Sequence, residues 1–129
     1  MLNHELLTSR IIGAAFRVHN VLGPGHLEHV YRNALALELA KAGLAVRVEG
    51  RIEVEYDGTL VGNCFADLVV EETVVVETKA KEAILPGHLA QTRAYLRASG
   101  LETGVVLNFG PMKVDVKRAD LTRMEKKTG

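Results

Sequence analysis

Two carboxylates and a lysine close an apolar hairpin in the middle of the chain. Asp67 lies in the stretch from Phe65 to Val70, and Glu77 and Lys79 end a valine-rich stretch that follows a short acidic turn. Strands this rich in valine normally lie inside a sheet, where isolated charges are costly and persist mainly when they are paired or bound to a metal ion. These three side chains therefore indicate a functional site.

The spacing of these residues predicts which side chains meet. Side chains alternate along a strand, so Glu77 and Lys79 lie on one face and Thr78 lies on the other. Without a bulge, Asp67 joins the face of Glu77 only if the turn has an odd number of residues, and Glu71-Glu72-Thr73 satisfies this condition. Two carboxylates so placed bind Mg²⁺ or Mn²⁺, and the lysine can position a water molecule or a phosphate. The predicted chemistry is metal-dependent phosphodiester hydrolysis. The structural alternatives are a solvated strand end with an ion pair and a carboxylate cluster that holds no metal.

The composition predicts one domain, spanning residues 1–129, with a tail from about 119 that frays. The hydrophobic fraction of 47% and the charged fraction of 25% are typical of a soluble globular protein, and no apolar run is long enough to span a membrane. The N-terminus does not resemble a secretory signal, so we expect a cytoplasmic protein.

Cys64, the single cysteine, is expected to be a small buried residue. Sixteen basic and sixteen acidic side chains cancel, which argues against a broadly basic nucleic-acid-binding surface.

Two helices are predicted before the hairpin. Apolar side chains recur at three- and four-residue spacing from Glu5 to about Leu22, and Gly23-Pro24-Gly25 ends this helix. The second helix begins just after that loop, and Gly43 is expected to cap it. Glu28 lies in its first turn, one turn from Tyr31, at the edge of the apolar stripe. A carboxylate there also favours the positive end of the helix dipole, so the position alone does not define a role.

The remaining segments predict a sheet. Residues 45–56 form either a half-exposed strand pair or one bent strand, and Asp57-Gly58 predicts a tight hairpin turn. Further strands are predicted at 60–70, 73–79, 103–109 and 113–118. The second of these should be central because it is apolar on both faces, and the last should be an exposed edge strand. This order of elements predicts an α/β (α+β) fold with a mixed central β-sheet flanked by helices.

A third helix is predicted from Pro86 to about Ser99, with Gly100 as its cap. The leucines expected to face inward are Leu85, Leu89 and Leu96. His88, Gln91 and Tyr95 recur at spacings of three and four and form a polar stripe beside the leucines. Such a stripe is, by itself, typical of a hydrogen-bonded helix flank.

Two motifs resemble those of a nuclease superfamily. Asp67, nine further residues and then Glu77-Thr78-Lys79 are similar to the signature of the PD-(D/E)xK nucleases, except that Ala66 stands where the signature has proline. Gly25-His-Leu-Glu28-His-Val-Tyr31 resembles the motif that names the GxxExxY proteins, a family assigned to that superfamily. The likeness begins in the first helix and continues to Asn108-Phe109-Gly110, so it covers nearly the whole chain.

A third motif, Gln91-x-x-x-Tyr95, resembles the Q-x-x-x-Y motif of RecB-like nucleases in the same superfamily. Together these resemblances imply a restriction-endonuclease-like αβββαβ core and cleavage of nucleic acid that depends on Mg²⁺ or Mn²⁺. The implied metal ligands are Glu28, Asp67 and Glu77, and the implied catalytic set adds Lys79, Gln91 and Tyr95. Lys79 would position the attacking water, and the glutamine and tyrosine would orient the phosphate or a nucleotide.

The expected partner is nucleic acid, with DNA favoured over RNA, and no membrane. A homodimer and a complex with a partner protein are both left open. The alternative function is a catalytically silent nuclease-fold module that acts through a partner protein. Zero net charge and the absence of a separate specificity domain are consistent with that alternative.

Overall fold

The computed structural model describes residues 3–121, which form one mixed sheet and three helices. The elements are α1 (His4–Leu22), α2 (Glu28–Lys41), β1 (Val46–Tyr56), β2 (Thr59–Val70), β3 (Val74–Lys79), α3 (Pro86–Ser99), β4 (Thr103–Phe109) and β5 (Val114–Arg118). The strand order is β1-β2-β3-β4-β5, with β3 and β4 parallel and the other neighbours antiparallel. The helix α3 connects the two parallel strands. The predicted mixed central sheet flanked by helices is confirmed, and β3 is its middle strand.

Residues 46–56 form a single strand, so the strand-pair alternative is wrong. The strand is irregular at Glu49, where a φ of 52° interrupts the regular backbone. Gly50 follows and approaches β2 closely, because a Cβ at this position would lie 2.9 Å from Cγ2 of Val69. Asp57 and Gly58 have φ values of 54° and 75°, which fit the predicted two-residue hairpin turn.

The helices cover opposite faces of the sheet. The larger core, between the sheet and the pair α1 and α2, includes Ile11, Tyr31, Leu35, Val74, Val76 and Leu107. A smaller cluster under α3 contains Ile52, Ala66, Val69, Val75, Leu96 and Leu121. Because side chains alternate along β3, Glu77 and Lys79 continue the α3 face that Val75 begins. No helix within residues 3–121 has the combination of length and apolar character that a membrane span requires.

The predicted burial of Leu85 is wrong, although Leu96 is fully buried and Leu89 is partly buried. Leu85 is 57% exposed because it precedes the first helical residue with an extended backbone, so the helical spacing does not apply to it. His88 caps this end of α3, since its Nδ1 lies 3.0 Å from the backbone nitrogen of Leu85 and accepts its N–H.

Two other expectations concern Cys64 and the tail. Cys64 is partly rather than fully buried, because it packs at the edge of the smaller core. Ala119 and Leu121 are buried and donate backbone hydrogen bonds to the carbonyls of Gly104 and Glu102, at 3.0 and 3.2 Å. The rest of the tail that was expected to fray, residues 122–129, lies outside the described residues.

Candidate functional site

Backbone pairing between β2 and β3 ends at the two predicted carboxylates. The pairing runs from Val70 opposite Val74 to Leu68 opposite Val76, and the next positions in this register are Asp67 and Glu77. The three-residue turn therefore gives the predicted register. We call the point beyond the last pair, at Asp67 and Glu77, the fork.

At the fork, side chains replace the backbone ladder. The backbone N–H of Asp67 donates to Oε2 of Glu77 at 2.7 Å. The backbone N–H of Thr78 donates to Oδ2 of Asp67 at 2.8 Å, and the Thr78 hydroxyl donates to the same oxygen at 3.0 Å. The two carboxylates are thus held against each other by the two diverging strands.

One oxygen of each carboxylate is left for a ligand, because the hydrogen bonds from described residues use only Oδ2 of Asp67 and Oε2 of Glu77. Glu77 is 3% exposed. Burial, followed by the neighbouring charge of Asp67, raises the pKa of Glu77 to about 8, with a smaller increase from Glu28. The backbone N–H of Asp67 and the charge of Lys79 act in the opposite direction. A buried carboxylate beside a second, partly buried one is costly without a cation, as expected for a carboxylate site built to hold one.

The polar stripe of α3 meets this site from the other side. The Nζ of Lys79 lies 3.4 Å from Oε1 of Gln91 and donates a long hydrogen bond to it. Burial raises the pKa of Tyr95, with further increases from Glu77, Cys64 and Asp67. The charges of both carboxylates therefore act on the Tyr95 hydroxyl. The structure thus brings Gln91 and Tyr95 of α3 close to Glu77 and Lys79 of β3.

Glu28 enters from the opposite face, in the first turn of α2. Together with Asp67 and Thr78 it lines a cleft of about 420 Å³, whose remaining wall includes His29 and Arg32. Glu28 also contributes to the raised pKa of Glu77. Glu28 therefore shares a cleft with Asp67 on the α2 side of the sheet, and Glu77 is not among the residues that line this cleft.

Tyr31 positions the loop that precedes Glu28. Its hydroxyl donates to the carbonyl of Gly23 at 2.6 Å and accepts the backbone N–H of His26 at 3.2 Å. Its ring stacks on Phe109 of β4, with centroids 4.6 Å apart and planes 8° apart. Gly25, between the two bonded residues, has a φ of 104° that favours glycine. The glycine and the tyrosine thus fix where α2 starts.

The donor chemistry of the fork fits a hard divalent cation, because Asp67 and Glu77 each have one carboxylate oxygen that accepts no hydrogen bond from residues 3–121. Within residues 3–121, however, no group of three His, Cys, Asp or Glu side chains is close enough to form a ready-made metal cluster. The assignment of Glu28, Asp67 and Glu77 as the metal-binding set stays a prediction, as do the roles of Lys79, Gln91 and Tyr95.

Sequence reasoning missed two polar residues at the site. Thr78 was assigned to the face away from Glu77, and its bonds to Asp67 form only because β2 and β3 part there. Asn108 is fully buried, and its side chain accepts the N–H of Lys81 at 2.8 Å and donates to the carbonyl of Lys81 at 2.9 Å. It thereby clamps the segment just after Lys79. The available signal was a lone asparagine within an apolar strand, which requires partners when buried.

A mixed sheet with a helical crossover between β3 and β4, and with two carboxylates and a lysine at the fork, defines a restriction-endonuclease-like nuclease fold. The chain belongs to the PD-(D/E)XK nuclease superfamily, because the family model of that description matches residues 5–119. No curated protein matched the chain.

Two solved structures are similar to this fold. One is the crystal structure of SSO0001, with 18% sequence identity and a TM-score of 0.61 over 78% of this chain and 53% of that chain. The other is an alkaline exonuclease (LHK-Exo) from Laribacter hongkongensis, with 14% identity and a TM-score of 0.52 over 98% of this chain and 88% of that chain. The protein spans about half the length of the first structure. At these identities the similarity shows a shared fold.

Proposed function

We propose that this protein is a nuclease that hydrolyses nucleic-acid phosphodiester bonds and depends on Mg²⁺ or Mn²⁺. The observation that carries the proposal is the pair of carboxylates at the fork. Glu77 is buried and its pKa is raised to about 8, and each side chain has one oxygen that accepts no hydrogen bond from the described part of the chain. Lys79 lies next to this pair on the same face of β3 as Glu77. Membership in a nuclease superfamily supports the same chemistry.

Each residue has a distinct role in this proposal. Asp67 and Glu77 hold the cation, and Glu28 adds or orients a ligand from α2. When bound, the cation supplies Lewis acidity and a water of lowered pKa. Lys79 positions the attacking water near the scissile phosphate and favours the negative charge that develops there. Gln91 and Tyr95 lie on one stripe of α3 and orient the phosphate or the adjoining nucleotide.

We also propose that the chain is a GxxExxY protein. The support is the role of the motif residues in the fold, since Gly25 has a positive φ and Tyr31 ties together the loop ahead of Glu28. In this proposal the motif positions the carboxylate of Glu28 near the fork. Replacing Tyr31 with phenylalanine would keep the stacking on Phe109 and remove only the two hydroxyl bonds.

The test is a cleavage assay on the purified protein with plasmid DNA, linear single-stranded DNA and RNA. Each substrate is incubated with Mn²⁺, with Mg²⁺ and with a chelator, and the matched control is Asp67→Asn. We expect cleavage of DNA in preference to RNA, which the chelator and the Asp67→Asn substitution both abolish. Intact substrates in every condition would overturn the proposal.

A melting experiment provides a second readout of the same site. A cation that binds only the folded protein at one hundred times its Kd stabilises it by about 2.7 kcal/mol, which raises the melting temperature by roughly 10 °C for a domain of this size. Asp67→Asn removes one repelling charge, so its metal-free form should melt no lower than wild type, while the response to Mn²⁺ should largely disappear. An equal Mn²⁺ response in both proteins would contradict the metal site.

A second candidate function is a silent nuclease-fold module that acts through a partner protein. Large apolar side chains on the β1–β2 hairpin favour it, because Tyr56, Leu60, Val61 and Phe65 are all exposed. A pull-down that finds a stable partner, while the purified protein with Mn²⁺ leaves all nucleic acids intact, would support this candidate over the nuclease.

A further inference from the structure

Thr78 lies between Glu77 and Lys79 in sequence and is fully buried. Its side chain points to the face of β3 that carries Val74 and Val76, and it lines the same cleft as Glu28 and Asp67. It is therefore separated from Glu77 and Lys79 by the strand itself. Among the described residues, its hydrogen bonds to the site go to Asp67, from the hydroxyl and from the backbone N–H.

Both bonds from Thr78 end on the same atom. Oδ2 of Asp67 accepts the backbone N–H at 2.8 Å and the hydroxyl at 3.0 Å. A carboxylate oxygen has two lone-pair positions, so these two donors occupy Oδ2. No donor among residues 3–121 is bonded to Oδ1. The two oxygens of Asp67 are thereby made different, with one committed to the protein and the other available to a ligand.

The hydroxyl is well suited to maintain this difference. Threonine is branched at Cβ and has restricted χ1 rotation, and burial of Thr78 restricts it further. Without the hydroxyl, Oδ2 would keep a single donor from the backbone, and the carboxylate could turn about its last bond and exchange its two oxygens. Groups that orient a metal ligand in this way typically change metal affinity by ten- to one-hundredfold when they are removed.

We propose that Thr78 is a positioning residue, whose hydroxyl holds Oδ2 of Asp67 and keeps Oδ1 as the oxygen that a divalent cation binds. This inference rests on the proposed metal-dependent function and adds to it a residue outside the set of ligands. In this proposal Thr78 acts through Asp67.

The test compares Thr78→Val, which keeps the shape and removes the hydroxyl, with Thr78→Ser, which keeps the hydroxyl. The matched control is Thr8→Val, because Thr8 is also buried and its hydroxyl donates to the carbonyl of His4 at 2.7 Å, within α1. The readouts are the dissociation constant for Mn²⁺, measured from the electron paramagnetic resonance signal of free Mn²⁺, and the melting temperature of the metal-free protein.

We expect Thr78→Val to bind Mn²⁺ about tenfold more weakly than wild type. Thr78→Ser should stay within about threefold of wild type, and Thr8→Val should lower the melting temperature without changing the Mn²⁺ dissociation constant. In the cleavage assay, Thr78→Val should recover most of its rate when Mn²⁺ is raised about tenfold, because the lost affinity is overcome by mass action.

Three results would overturn the inference. An unchanged Mn²⁺ dissociation constant in Thr78→Val would show that the hydroxyl does not position Asp67. An equal loss in Thr78→Val and Thr78→Ser would assign the effect to packing. If wild type itself binds no Mn²⁺, the proposed function fails together with this inference, whereas the first two results leave the proposed function intact.

Discussion

The face of the sheet under α1 and α2 and the face under α3 bury different kinds of side chain. The first is a continuous apolar core that includes Leu35, Val76 and Leu107. The second has a smaller apolar cluster around Leu96, and beside it lies the buried carboxyl group of Glu77. Burying a charge costs free energy that apolar contacts must offset. The large core therefore stabilises the fold, while the α3 face and the fork carry the polar groups of the site other than Glu28 and Thr78.

The largest expected effect is a dependence of the free energy of unfolding on pH, which arises from Glu77 on the α3 face. Burial raises the pKa of Glu77 in the folded protein to about 8, from an ordinary value of 4.5 for an exposed glutamate. Between these two values the folded state holds a proton that the unfolded state has lost. The metal-free protein should therefore lose stability as pH rises from about 4.5 to about 8 and change little above that. At about 1.4 kcal/mol per pKa unit, the loss is at most about 5 kcal/mol.

Denaturant unfolding of the metal-free protein between pH 5 and pH 9 measures this dependence. The control is Glu77→Gln, which keeps the shape, can still accept the N–H of Asp67 and does not titrate, so its profile should be flatter. In wild type, stabilisation by Mn²⁺ should increase from pH 6 to pH 8, because the cation competes with the proton on Glu77. Parallel profiles for the two proteins would contradict the assigned titration.

The next largest effect is the loss of stability when a leucine is truncated in either of the two apolar cores. Leu35 and Leu96 are both fully buried, the first under α2 and the second under α3. We expect Leu35→Ala to cost about 4 kcal/mol and Leu96→Ala about 2 kcal/mol, because the smaller cluster can collapse more readily around the lost atoms. The free energy of unfolding in denaturant measures both, and a larger loss for Leu96→Ala would reverse the comparison.

Lys79→Ala should break the chemistry while leaving both cores intact. We expect cleavage to fall by about 10²- to 10³-fold, the usual effect of removing one group that stabilises developing charge. The Mn²⁺ dissociation constant should stay largely the same, because a protonated lysine has no lone pair to offer. Lys41→Ala, at the far end of α2 from Glu28, is the matched control and should cleave normally. Undiminished cleavage by Lys79→Ala would refute the role of this lysine.

The smallest effects are expected on the α3 stripe. Gln91→Ala and Tyr95→Phe should each raise KM by up to about tenfold, equivalent to about 1.4 kcal/mol, with little change in Mn²⁺ binding. Steady-state kinetics and a Mn²⁺ titration on each variant measure these quantities. Abolished Mn²⁺ binding in either variant would show that the stripe has been assigned the wrong role.

Local patterns in the sequence were enough to predict most elements of this fold. The spacing of apolar residues placed α1 and α3, and Asp57-Gly58 predicted a turn that the backbone angles fit. The odd-numbered turn after β2 gave the register that sets Asp67 opposite Glu77. Each of these features depends on residues close together in the chain, and periods of 3.6 and 2 residues describe them well.

Only the tertiary structure decided how the site is held. The alternation rule correctly placed Thr78 on the face away from Glu77, and it could not show that Asp67 reaches Thr78 where the β2–β3 pairing ends. Nor could it show that Tyr31 ties the loop before Glu28, or that Asn108 clamps the backbone of Lys81. In each case a side chain bonds to backbone or carboxylate groups that regular pairing leaves free. Those partners are set by how separate elements pack against one another, a relation that periodicity within one element does not contain.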